Sequence, residues 1–237
     1  MSEIKDFELL SPFGPKIGKF NLPKKVLSNF KKLSKKVLKN KESPYNSKLV
    51  GEITDEWYVP PAYYSDYKVD SYLRDSVEEY TKNCIYTNSG GLSKNWRVEP
   101  IVLGGWVNEM KSYEYNPVHF HTNSPPVTVH FSSVLYLEIP EITNPICDLY
   151  KDKTDNVVDV NSQKEINMDG QIEFIGSSVP GSNVEALLHE KSTLSVTPEV
   201  GQFFIFPYYL LHTVYPFISG KNRLSLAINF GVNVFNN

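Results

Sequence analysis

The chain has 237 residues, 41 % of them hydrophobic and 13 % aromatic, and a formal net charge of −3. That length suits one domain, or one domain with an N-terminal extension, large enough to bury a core without disulfide or metal staples. The weak negative charge argues against a general polyanion-binding surface, so no nucleic-acid partner is expected.

Composition bounds the class further. The 15 tyrosines and 13 phenylalanines favour sheet over helix. Cys84 and Cys147 form neither a disulfide framework nor a zinc spacing, which points to a reducing compartment. The N-terminal Met-Ser-Glu-Ile-Lys-Asp lacks a basic region followed by an apolar run, so no secretory signal is expected. No apolar run approaches the ~18 residues that span a bilayer. A soluble cytoplasmic protein is the expectation. The Tyr-, Asn- and Lys-rich usage hints at an AT-rich, virus-like genome. Nothing in the sequence sets an oligomeric state.

In chain order, residues 7–20 read as one or two short strands punctuated by Pro12, Gly14 and Gly18. Asn21 is placed as the cap of a helix with Pro23 in its first turn. Val26, Leu27, Phe30, Leu33, Val37 and Leu38 then recur at helical spacing to about Lys41. The lysines between them (24, 25, 31, 32, 35, 36, 39 and 41) read as a solvated face. Residues 42–68, with Pro44, Pro60, Pro61 and many tyrosines, look irregular. A second amphipathic helix is expected over 70–83, with Tyr72, Leu73, Val77 and Tyr80 on one side. A loop is expected over 83–95.

From Trp96 the pattern changes to short apolar or alternating runs. They cover 97–110, 118–121, 127–139, 146–151, 172–175, 194–198, 202–206, 213–217 and 224–234. This is the pattern of an antiparallel sandwich or barrel. Residues 151–170 and 176–190 are polar and read as loops at the barrel mouth. Residues 1–95 would then support a core spanning 96–237, all within one domain.

The candidate chemistry lies in the histidines. His119 and His121 are i and i+2, so on one strand they share a face, with Phe120 turned away. Two imidazoles so placed form a chelate; the plainer alternative is one ligand and one hydrogen-bonded histidine. His130, on the next expected strand, reads as a packed or supporting residue, and His189 as a loop residue. His212 follows Gly201-Gln-Phe-Phe-Ile-Phe-Pro207, where Pro207 stops a strand, and lies just before the next one. Arg223 follows eleven positions later, sharing a face with Ser225 inside an apolar strand. A guanidinium beside a hydroxyl grips a carboxylate. A buried arginine without an anion is costly, so an anion is expected there; the alternative is a buried Asp or Glu partner.

These pieces, together with Ser132-Ser-Val-Leu-Tyr-Leu137, resemble the iron(II)- and 2-oxoglutarate-dependent oxygenases over roughly residues 106–232. The likeness is to a phage and bacterial group akin to prolyl hydroxylases. The resemblance implies a double-stranded β-helix (jelly-roll) core with supporting N-terminal helices. It implies iron(II) held by His119, His121 and His212, with O2 and 2-oxoglutarate as co-substrates and ascorbate as a reductant. Arg223, with Ser225, would hold the far carboxylate of 2-oxoglutarate. Tyr136 would assist, with Leu135 as the alternative alignment, and Asn108 would reach the co-substrate's other end.

The departure is at position 121, where most members carry Asp or Glu. A tris-histidine site ranks first, ahead of a supporting role for one of the pair or a site completed by Asn123. A peptidyl proline is the favoured substrate, with a small molecule as the alternative, and the aromatic segment 57–67 could line a peptide groove. Two rivals remain open: a tris-histidine cupin dioxygenase that uses no 2-oxoglutarate, and a non-catalytic jelly-roll binding module.

Overall fold

In the computed structural model, the described residues are 7–10, 14–45, 51–89, 95–122, 128–142, 168–176 and 193–236. They form two antiparallel sheets and three helices. In chain order these are β1 (Phe7–Leu10), β2 (Ile17–Asn21), α1 (Lys24–Asn40), β3 (Asp55–Val59), α2 (Ala62–Asp66) and α3 (Asp70–Asn88). Eight strands follow: β4 (Trp96–Met110), β5 (Asn116–His119), β6 (Phe131–Glu138), β7 (Ile172–Ile175), β8 (Thr193–Val196), β9 (Gln202–Pro207), β10 (Leu211–Val214) and β11 (Arg223–Asn236). The larger sheet has the order β1-β2-β9-β6-β11-β4-β3 and the smaller β5-β10-β7-β8. This is the jelly-roll arrangement expected, with helices on one side.

Strand alternation divides the large sheet into two faces. Leu224, Leu226, Ile228 and Phe230 of β11, Leu135 and Leu137 of β6, and Phe203 and Ile205 of β9 face the helices. They pack with Phe30, Leu33 and Val37 of α1 and with Tyr72, Leu73, Val77 and Tyr80 of α3. The intervening residues face the small sheet, where Tyr136, Phe204 and Phe206 meet Ile172, Phe174 and Val214. With both faces covered, β9 is buried from end to end, which is why it reads as a continuous apolar run rather than an alternating one.

Several boundaries differ from expectation. Asn21 ends β2 and does not cap α1; Pro23 holds the N-cap position, without a side-chain cap bond. The helix stops where expected, at Lys41, whose left-handed backbone (φ 50°) lets its N–H reach Val37 O. Its lysines are exposed except for half-buried Lys31. Residues 42–68 are not irregular throughout: β3 and α2 lie there, and Pro44 bridges Trp57. Helix α3 runs five residues past the expected end at Asn83, because Cys84 keeps one more partly buried position on the core side. The expected strand 146–151 and nearly all of both mouth loops fall outside the described residues.

The longest pairing holds the site in register. β4 and β11 run antiparallel from Arg223↔Met110 to Asn236↔Trp96, with a bulge at Asn229/Phe230. At Gly105 the sheet has no room for a side chain: a Cβ there would stand 2.1 Å from Ala227 O and 2.8 Å from the Tyr64 hydroxyl. Gly105→Ala is therefore expected to lower the unfolding free energy by about 3 kcal/mol or more, read as a drop in urea midpoint.

Candidate active site

The two sheets bring His119 and His212 together directly. They are cross-strand partners in the β5–β10 pair, next to a register shift, and their ring centroids lie 4.2 Å apart. Each ring is fixed by a backbone carbonyl. His119 Nδ1 is 2.7 Å from Pro117 O and His212 Nδ1 is 2.8 Å from Leu210 O. A carbonyl only accepts, so both Nδ1 atoms carry the proton and both Nε2 lone pairs are free for a metal.

His121 arrives by a different route from the one expected. It lies beyond the end of β5, not on the strand with His119, and its backbone N–H donates to Tyr208 O at 2.8 Å. Its ring is clamped between planes: Trp106 stacks on it at 5.6 Å and His212 lies at 5.4 Å with an interplanar angle of 17°. Ser132 Oγ stands 3.4 Å from either ring nitrogen, too long and too even to choose a tautomer. Phe120, between the two histidines, points outward as expected and is 52 % exposed.

The potential ligand atoms of the three histidines all lie within 4.8 Å of one another. They form the one cluster of metal-ligating side chains among the described residues, and it contains no carboxylate. Burial drives the basicity of all three down. His121 falls to about 4, from desolvation first and His119 second, against the smaller raising effect of the Asn229 side chain. His212 falls well below its ordinary value through desolvation and its two neighbours, and His119 falls through desolvation. All three are therefore neutral near pH 7, the form that binds a metal.

The histidines share a cavity with the expected anion-binding residues. About 470 Å³ of empty space, partly open to solvent, is lined by the triad, Arg223, Ser225, Tyr136, Asn108 and Trp106, among others. Ser225 pairs with Asn108 on one side and Tyr136 on the other, so these three side chains form one row across the sheet. The off-by-one alternative is excluded: Leu135 faces the helices.

Arg223 is 3 % exposed. Nη1 donates to Gly170 O at 2.9 Å and Nη2 to Met110 Sδ at 2.8 Å, while Nε has no acceptor. Among the described residues no carboxylate pairs with it. The Tyr136 ring lies 5.9 Å away, with its hydroxyl unpartnered and pushed up to about 12 by burial, against the lowering effect of Arg223. A guanidinium and a phenol, both sealed and both short of an acceptor, make a place for an anion.

Other expectations resolve plainly. His212 lies within β10 and not in the turn before it, and β9 runs through Pro207 before ending. His130 precedes β6 and accepts the Val232 N–H at Nδ1, apart from the triad. Asn123, His189 and Cys147 lie outside the described residues. The segment 57–67 packs inward more than it lines a groove: Tyr64 is fully buried, and Trp57, Tyr63 and Tyr67 lie against the helix-side core. Sequence reading missed Trp106, Phe206 and Asn229 around the imidazoles. Alternation along β4 from Asn108 would have placed Trp106 on the cavity face.

A sequence profile for the family described as "Putative 2OG-Fe(II) oxygenase" matches residues 104–229. That is more than half of the chain, and the chain belongs to this 2-oxoglutarate- and iron(II)-dependent oxygenase family. Its chemistry uses Fe(II), 2-oxoglutarate and O2, and the three-imidazole cluster fits such an ion. No curated protein matches the sequence. Among solved structures, the chain is similar to a Pseudomonas putida prolyl-4-hydroxylase (13 % identity, TM-score 0.50, covering 90 % of this chain and 91 % of that one). It is also similar to a viral collagen prolyl hydroxylase of Paramecium Bursaria Chlorella virus-1 in complex with 2OG (14 %, 0.43, 90 % and 94 %). A third is a non-haem α-ketoglutarate-dependent carbocyclase from nogalamycin biosynthesis (11 %, 0.49, 90 % and 78 %). At such identities the likeness concerns the fold. No helix among the described residues is long and apolar enough to cross a membrane.

The anion pocket has a direct thermodynamic signature. A dicarboxylate at about 100 times its Kd should stabilise the protein by about 2.7 kcal/mol, raising Tm by a few degrees. Arg223→Met should abolish that shift while leaving anion-free stability within about 1 kcal/mol, since the lost interactions are offset by the lost desolvation cost. Thermal unfolding with and without 2-oxoglutarate measures both.

Proposed function

We propose that this protein is a 2-oxoglutarate-dependent hydroxylase whose iron is held by His119, His121 and His212. The observation that carries the reading is the pairing, in one cavity, of three neutral imidazoles with a buried Arg223 that has no acidic partner among the described residues. Iron(II) with 2-oxoglutarate and O2 supplies oxidative decarboxylation to succinate and CO2, coupled to hydroxylation of a C–H bond.

The residues of the chain have separate tasks. Pro117 O and Leu210 O hold two imidazoles with Nε2 toward the ion. Trp106 and His212 keep the His121 ring in a fixed plane. Arg223 and Ser225 take the far carboxylate of the co-substrate, and Tyr136 donates its hydroxyl to the same group. Asn108, in the same row, contacts the co-substrate toward the metal. Phe206, edge-on to His212 at 4.9 Å, helps keep water from the imidazoles. Residues 1–95 and 96–237 act as one oxygenase domain, since α1 and α3 cover the outer face of the site-bearing sheet.

The substrate proposed first is a peptidyl proline. The Pseudomonas putida neighbour is a prolyl-4-hydroxylase, and that likeness motivates the choice. A small molecule is the alternative.

The test is succinate formation. The Fe(II)-loaded protein with 2-oxoglutarate and O2 should release succinate, and a proline-rich peptide should accelerate the release and gain one oxygen atom by mass spectrometry. His212→Ala should abolish metal uptake and turnover together. Arg223→Gln should raise KM for 2-oxoglutarate by about 10²-fold, as expected for loss of one partner of a buried charge pair. Metal-dependent O2 consumption without succinate would overturn the 2-oxoglutarate reading in favour of a tris-histidine dioxygenase.

A further inference from the structure

Beside the anion-binding row lies a carboxyl group that the chemistry above does not use. Glu56, at the second position of β3, is 3 % exposed, and its Oε1 has no hydrogen-bond partner. Its backbone is tied on both sides. It pairs with Asn108 of β4, and its carbonyl accepts the Tyr45 N–H at 2.7 Å. Asn108 is 6 % exposed, and its Oδ1 also lacks a donor. Facing residues of an antiparallel pair project from the same side of the sheet, with Cβ atoms about 4.5–5.5 Å apart. Two sealed acceptor oxygens on neighbouring side chains, neither with a donor, are each unfavourable. A single proton on the carboxyl satisfies both.

We propose that Glu56 is a positioning residue, held as a neutral acid that donates its O–H to Asn108 Oδ1 and so turns the Asn108 NH2 group into the cavity as a donor to the anionic co-substrate. The inference rests on the reading that this cavity takes a dicarboxylate. It extends the row Asn108–Ser225–Tyr136 by one strand, to Glu56. It also makes every polar side chain of that row a donor toward the ligand.

The surroundings favour the neutral form. Burial, and then the negative charge of Glu114, raise Glu56 to about 7. Glu114 lies on the connection between β4 and β5 and is held by Thr54 and the Lys111 backbone N–H. The cations of this edge, Lys41 and Lys111, pair with Asp55, whose side chain projects from the opposite face of β3. On the Glu56 face, Tyr58 and Tyr45 stack with each other at 5.5 Å, and Tyr45 stacks with Trp106 at 5.7 Å; these rings bring no cation to the carboxyl. The sign follows. A carboxyl whose pKa is raised on folding keeps its proton below the shifted value, so the contact is present near pH 6 and lost as pH rises through about 7.

The test uses the full chain and two substitutions. Infrared spectra of the metal-free protein should show a protonated-carboxyl band at pH 6 that disappears above pH 8 and is missing from Glu56→Gln. Calorimetric titration of the Mn(II)-loaded protein with 2-oxoglutarate should show about tenfold weaker binding at pH 8.5 than at pH 6. In Glu56→Gln, whose amide still donates to Asn108, affinity should stay near the pH 6 value at both. In Glu56→Leu it should be about tenfold weaker at both. The proposal is overturned if the band is unaffected by Glu56→Gln. Equal pH dependence in wild type and Glu56→Gln, or wild-type affinity in Glu56→Leu, would also overturn it. Failure of the wild type to bind 2-oxoglutarate at pH 6 would instead remove the dicarboxylate reading. The infrared arm still decides whether Glu56 is the neutral acid.

Discussion

Arg223 is a full positive charge with only 3 % of its surface exposed, and much of the arrangement around it follows from that constraint. Moving a guanidinium out of water is expensive unless something replaces the lost solvation. The protein supplies part of the replacement from the Gly170 carbonyl and the Met110 sulfur, and leaves Nε without an acceptor. What remains is a standing demand for an anion. Tyr136 and Ser225 share that face of the sheet and border the same cavity, and the Tyr136 hydroxyl has no partner of its own.

The large sheet can host such a charge because its two faces do different work. On β11, the even-numbered residues from Leu224 to Val232 seal the sheet against α1 and α3, while Arg223, Ser225 and Ala227 line the cavity. The same division holds on β6, where Leu135 and Leu137 face the helices and Tyr136 faces the site. A one-residue slip of β11 would put Leu224 in the anion pocket and the guanidinium among the helix side chains. The long pairing with β4, and the absence of a side chain at Gly105, set that register.

Much of the site was legible because its chemistry is carried by short local patterns. His119, His212 and Arg223 each stand beside an apolar run, and alternation is enough to put Arg223 and Ser225 on one face. The expectation for His121 reached the right place by the wrong geometry: it shares the site because of its backbone bond to Tyr208, not because β5 continues to it. What was not legible depended on pairing between distant segments. β3 begins with Asp55 and Glu56 and is followed by two prolines, so it looks like loop until Asn108 and Trp106 are seen beside it. Glu56 could not be singled out from a sequence in which a buried and an exposed glutamate look alike. The end of α3 was misplaced because the Asn- and Ser-rich composition after Asn83 outweighed a modest remaining apolar pattern.

As the third proposed metal ligand, His121 would change the charge balance of the whole cavity. A carboxylate ligand would leave a divalent ion with one net positive charge; three neutral imidazoles leave it with two. Arg223 adds a third. A dianionic co-substrate held by Arg223 beside such an ion would meet a pocket more positive than one containing an acidic ligand, and its binding would depend correspondingly more on charge. An ionised Glu56 beside Asn108 would work against this, placing a fixed negative charge one strand from the incoming dianion. A neutral Glu56 has the opposite effect: it removes that repulsion and, through Asn108, adds a donor. On the proposed reading, an imidazole in place of a carboxylate at the metal and a proton held on Glu56 would act in the same direction, concentrating the negative charge of the assembled site on the ligand.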